Sequence, residues 1–443
     1  MITKIKNVIK EQRGIGLISI LMAIAVIGLI GGAATTATVQ FLKAPTHVQK
    51  KNVLVKSELK GLTADIYSHQ AGTTGGGYVS GESIFNYAII ALTGNITAYG
   101  SPSVKSDPEK INGTYEGDIY AQENISINNN NVIYGDAIAG GTITTPNWAT
   151  NAILGKQTSN TPKTFKALNI EDYKTMAENG MIDTTSFENQ AKSGHTYNGD
   201  YTTPVTITLG HNGGLYSYIK GNLNIDGSDN VTLSGSLYVT GNIVMTGSAK
   251  IQGNGTIIAD GYIDIGGSCQ MKPTGSSPYI VSKNSYFTMG GSTIVSGIVY
   301  AKTNINVNGS NMVTIGSQHV TGNITVSGSS GIQLTGTVYV DGSINVTGSS
   351  GIRGPGNIVA ENDITTTGSS QLSPDDIPLI ISKNGTVTVT GSSTVSAVIY
   401  APNADLSLGG SVTVYGSVIG KSVSLTGSSK VKYPAETLRS RSY

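Results

Sequence analysis

At 443 residues with a net charge of +1, the chain is long enough for two or three ordinary domains. Its 58 glycines, 12% charged residues and abundant Ser, Thr, Val and Ile are poor helix material and good material for strands with frequent corners. Residues 221–443 carry 11 basic and 11 acidic side chains, so nothing draws the chain toward nucleic acid, and the single Cys269 excludes an internal disulfide framework or a cysteine-based metal cluster.

Residues 1–14 hold Lys4, Lys6, Lys10 and Arg13 against one acid, Glu11. From Ile15 to Ala34 no charge follows, and at ~1.5 Å per residue this run matches the ~30 Å core of a bilayer. The basic flank predicts a cytoplasmic N-terminus, which puts everything after residue 35 outside. A cleaved secretory signal has a shorter apolar core with its cleavage site after it. Here the candidate processing point, Gly14, stands before the run, so cutting there keeps the helix. A plain membrane anchor is the competing reading.

Gly14 followed by Ile15, Gly16, Leu17 and Ile18 resembles the start of a type IV prepilin, in which a dedicated peptidase cuts after the Gly. The resemblance implies a mature N-terminus at Ile15, with methylation there, and helix packing through Leu17, Ile18 and Ser19. Ser19 stands where the family carries a Glu that neutralises a neighbouring subunit's amine, a departure that fits a minor, initiating or tip subunit. Residues 46–70 keep a broad apolar stripe through Val48, Val53, Val55, Leu59, Leu62 and Ile66 after Pro45, so 15–70 is expected to be one hydrophobic, then amphipathic, helix.

Residues 71–145 have strand-and-corner texture, as in GNITAYGS, and are expected to be an irregular first solenoid segment. Within 146–200 the texture breaks: NIEDYKTMAENGM and TTSFENQAKSG predict two short helices, a small helical insertion. From 201 to 434 self-similarity dominates. Eleven of the Gly-Ser pairs, from Gly227 to Gly427, recur at steps of 17 to 24 residues. One unit, GNITVSGSSGIQLTGTVYVD, divides into three alternating segments closed by Gly, which predicts one triangular coil of a parallel β-helix. The fold class is therefore mainly β: a pilin-like N-terminal helix, then a β-solenoid of about 20 residues per coil, roughly eleven coils long, and a 435–443 tail.

In the third strand of each coil an aliphatic column (Leu237, Ile257, Ile280, Val299, Val338) and a column of small residues are expected to point inward. Between them lies an outward column that is also apolar, including Tyr238, Ile258, Val281, Tyr300, His319, Tyr339 and Tyr400. Such a stripe calls for a cover. The tyrosines mark a packing face, under the helical insertion or a neighbouring subunit, or a face for stacking glycans.

No catalytic constellation is found. Asp226, Asp260, Asp341 and Asp363 read as single solvated corner residues, and Asp375-Asp376 as a polar turn. Arg353 has no charged partner in its column, and the five histidines lack metal spacing, so no metal and no cofactor is expected. The order of prepilin-like start, β segment, helical insertion and Gly-Ser β-helix resembles the PilX-like pilus-assembly proteins with a bactofilin-like distal domain. That resemblance implies a structural role in the cell envelope. The expected partners are a prepilin peptidase, other pilins and the membrane through 15–34, with no nucleic acid. An anchored adhesin binding surface glycans and a polysaccharide-active enzyme are the alternatives.

Overall fold

The computed structural model describes residues 81–441, apart from 112–113, 129–130, 149–150, 276–277 and 374–376. The expectations for the leader, the apolar run and the amphipathic stretch, including Gly14 to Ser19, lie outside these residues, as does Asp375-Asp376. Among the described residues no helix is long and apolar enough to cross a membrane.

Alternation of apolar and polar residues over three to five positions gives short strands, and three strands make one turn of a parallel β-solenoid. In the unit quoted above they are Ile324–Gly328, Gly331–Leu334 and Val338–Val340. Neighbouring turns pair in parallel register, so Val338 lies over Ile358 and Ile344 over Ile364. Like residues therefore stack in columns, and the inward aliphatic columns form one continuous core. The 15-stranded sheet counts about fifteen turns, four more than the Gly-Ser pairs alone give, and a rod of roughly 70 Å.

The additional turns are not where the sequence order puts them. Residues 71–145 are expected from the sequence to be an irregular first solenoid segment; in the structure Ile89–Ala91 pairs with Val418–Gly420 of the last C-terminal turn, and Ile119–Ala121 stacks on Ile89–Ala91 in turn. The physical reason is the repeat itself. Any turn offers the same hydrogen-bond ladder and the same aliphatic columns, and the C-terminal turn presents an open edge that Ile96–Ala98 and Ser103–Ser106 also complete. Tyr433 donates its hydroxyl proton to the Phe85 carbonyl, and Arg439 of helix α3 (Ala435–Arg439) reaches Glu116 at 2.5 Å, so the seam is locked from both sides.

Two devices hold the corners. Along the periodic Gly-Ser corners from Ser248 to Ser428 the Ser N–H donates to the Gly carbonyl one turn below, as in Ser248 to Gly227 (2.6 Å) and Ser369 to Gly348 (2.8 Å). At the next corner Asn side chains do the same work: Asn222 Oδ1 accepts from Asn242 N–H (2.8 Å), and Asn242 Oδ1 from Tyr262 N–H (3.0 Å).

Candidate functional site

Having added its third turn at one end of the rod, the chain must return to the other end to begin at Thr196. It does so along the outside, over the apolar column. Ion pairs and contacts mark the route. Lys163 meets Glu82 (2.7 Å), Glu171 meets Lys383 (2.8 Å), Glu178 meets His319 (3.0 Å), Glu188 meets Lys283 (2.7 Å), and Ser217 donates to the Ala191 carbonyl (2.9 Å). The two helices of this strap, α1 (Ile170–Asn179) and α2 (Thr185–Lys192), carry Glu171 and Asp172 in the first turn of α1 and Lys192 in the last turn of α2. Both placements suit the helix dipole. Ten helical residues span about 15 Å, three turn-to-turn spacings, so α1 alone reaches from the Lys383 turn toward the His319 turn.

The column beneath is buried. Tyr238 is 4% exposed, Tyr300 8%, Tyr339 0% and Tyr400 2%, so these rings are packed side chains in this structure. Tyr238, Ile258, Val281 and Tyr300 form a cluster with Ala191, Phe187 and Ile182 of the strap. Farther along, Tyr120 and Tyr87 pack edge-on against Phe165 at 5.0 and 5.8 Å. Lys192 lies over the Tyr238 ring (4.7 Å) and Lys174 over that of Tyr339 (5.3 Å).

Two of the aspartates differ from their expected state. Asp260 accepts the Tyr238 hydroxyl (2.5 Å), Asp341 faces His319 Nε2 (2.7 Å), and Asp363 accepts from the Thr386 N–H (2.7 Å). Asp260 and Asp341 are thus engaged because the apolar column places hydroxyl and imidazole groups beside them, whereas Asp363 is exposed as expected and accepts from the neighbouring turn's Thr386. His319 sits between Glu178 on the strap and Asp341 on the rod, with its ring edge-on to Tyr339. Sequence reasoning placed Glu171 at a helix start but not in an ion pair, and assigned no role to Glu188, Lys283 or Lys383. The available signal was that both lysines stand two positions after the outward column, level with the edge of the strap. Arg353 donates to Gln371 (2.7 Å), Cys269 is buried, and among the described residues no group of three or more His, Cys, Asp or Glu has metal-ligating geometry.

Strap electrostatics predict a pH window. Burial works against the Glu188 carboxylate, but hydrogen bonds from Lys283 and Thr184 outweigh it and hold its pKa below the usual 4.5. Glu171 is lowered by the Lys383 hydrogen bond and charge. A depressed carboxylate pKa contributes stability above about 4.5 that is lost as pH falls through the folded value. Burial, then the bonds to Asp260 and Glu361, raise the Tyr238 and Tyr339 phenols above 10. Their contribution is complete below about pH 10 and fades as pH rises above it. Hydrogen exchange, corrected for intrinsic rates, is expected to show the 163–192 amides losing protection as pH falls below 4.5 while the coil amides keep theirs. Simultaneous loss in both would mean that the ion pairs do not hold the strap.

The face following the covered one is open along all fifteen strands. Its outward column runs Thr202, Asn224, Val244, Asp264, Thr288, Asn306 and onward through Thr325 and Asn345 to Thr144, with one charge in the whole column. The third face carries the outward lysines, among them Lys250, Lys272, Lys430 and Lys432.

These features define a parallel β-solenoid closed by its own strap. A domain of unknown function, DUF7305, matches residues 304–439, which comprise the C-terminal turns and α3. No curated protein and no solved structure matches the chain.

Proposed function

We propose that the protein is a non-catalytic structural component of the cell envelope, a minor pilin or pilin-like surface protein. Its N-terminal helix docks into a membrane or filament, and its solenoid is displayed outside the cell. The observation that carries this reading is the order of residues 1–34, a basic leader ending in Gly14 and then an uncharged run long enough to span a bilayer. The strapped rod agrees with it, because its conspicuous polar side chains are engaged in joining one part of the solenoid to another. In this reading a prepilin peptidase cuts after Gly14, Ile15 becomes the new N-terminus, and Leu17, Ile18 and Ser19 pack against other pilins. The protein is a single-pass membrane protein before assembly.

N-terminal sequencing of the mature protein tests this. The expected start is Ile15, with a methylated amine. A membrane-bound protein starting at Met1 would remove the pilin reading and leave an anchored surface protein. A second reading, an anchored glycan-binding protein, is favoured by the open face of Thr, Asn and Ser side chains.

A further inference from the structure

Across a strand pair, like charges directly opposite one another destabilise the sheet. The paired registers contain one such case: Lys105 lies opposite Lys432, where the first N-terminal turn stacks on the last C-terminal one. Tyr415 precedes Lys432 in the same column, and Lys105 lies 5.8 Å from the Tyr134 ring, so four neighbouring strands carry Tyr, Lys, Lys and Tyr in line. Lys105 is neutralised by Glu109 at 3.0 Å, with Asp107 also acting on it. Lys430 and Lys432 have no carboxylate within ion-pair distance among the described residues. They stand two apart on one strand, so both point outward with their Cα atoms about 7 Å apart. Lys432 Nζ donates to the Tyr415 hydroxyl (2.6 Å), which leaves the phenol proton to donate outward.

We infer that this ladder binds the anionic groups of an acidic polysaccharide strand. A carboxylate or phosphate on the strand sits between the Lys430 and Lys432 ammonium groups and accepts the Tyr415 proton. The inference rests on the surface reading above, since such a polymer is met outside the cell. Charge complementarity fixes the sign of the ligand. The remaining features fix its class. No large exposed apolar side chain lies on these strands, as insertion into lipid would need. Two uncompensated lysines within residues 81–443, which carry 19 basic against 24 acidic side chains, are too few to hold a duplex by counterion release. A polymer with spaced single charges suits two ammonium groups and a hydroxyl.

The test is binding of the purified full chain in detergent to polygalacturonate, with dextran, duplex DNA and phosphatidylglycerol vesicles as parallel arms. Polygalacturonate is expected to bind, to weaken as salt rises, and to lose at least tenfold in affinity with the double variant K430Q/K432Q. The midpoint of thermal unfolding of that variant is expected to stay level, because neither lysine has an ion pair to lose and Glu109 already offsets the charge of Lys105. Lack of polygalacturonate binding by folded protein, an unchanged affinity in the variant, or equal binding to dextran, DNA or vesicles overturns the inference. So does a lowered unfolding midpoint, which would make the lysines structural. None of these outcomes depends on where the mature N-terminus lies, so this inference and the pilin reading fail separately.

Discussion

Gly368→Ala is expected to lower stability by about 3 kcal/mol or more. Gly368 has φ of +81°, and a Cβ there would lie 2.5 Å from the Gly348 carbonyl oxygen of the turn below. That oxygen belongs to backbone fixed by the corner hydrogen bond from Ser369, so it cannot swing away. The contact cost adds to the left-handed backbone cost of about 1–2 kcal/mol. Two companions separate the components. Gly227 has φ of +60° with nothing within 4 Å of its virtual Cβ, so Gly227→Ala should show the backbone cost alone, about 1 kcal/mol. Gly266 has open space and an ordinary backbone, so Gly266→Ala should be neutral or slightly stabilising. Chemical denaturation of the three variants checks the ranking. Equal effects at Gly368 and Gly227 would mean that the turns can separate at a corner without cost.

Tyr339→Ser is expected to cost about 3–5 kcal/mol and to free the strap locally. The ring is fully buried, packs edge-on to His319 at 5.4 Å, lies under Lys174, and donates its hydroxyl to Glu361. Serine removes the ring and leaves a void between α1 and the rod. Tyr339→Phe keeps the ring and should cost only about 1 kcal/mol, the lost hydrogen bond, since Glu361 retains Lys383 at 2.9 Å. Tyr400→Ser should resemble Tyr339→Ser, because Tyr400 is just as deeply covered. Thermal unfolding together with exchange protection of 163–192 reads the result. Wild-type values in both for Tyr339→Ser would show that the strap draws nothing from the column beneath it.

The turn itself was legible in the sequence. Gly-Ser pairs at near-constant spacing mark corners where only glycine fits, and the aliphatic columns from Leu237 to Val338 identify the inward faces. Alternation also made Tyr238, Tyr300 and Tyr339 outward, and the need for a cover followed from their hydrophobicity. The order of the stack was not legible. A periodic ladder carries no label saying which turn lies on which, so GNITAYGS at 94–101 reads the same whether it begins the rod or caps its far end. The partners on the strap were hidden for a related reason: Glu171 and Lys383 are 212 positions apart, and nothing local joins them. Asp260 and Asp341 were misread as solvated because their partners come from the neighbouring column.

The seam between the two ends of the chain governs when this protein can fold. Phe85 and Tyr433, which meet there, are 348 positions apart, so a polypeptide emerging N-terminus first has no seat for its earliest strands until the last are made. Residues 88–160 and the strap behind them must wait unpaired while the middle turns accumulate, exposing strand edges that are prone to pairing with other chains. Completion is a single late event of very long-range closure, which is slow. A nascent chain stopped short of residue 413 would leave two halves of one rod without the strands that join them.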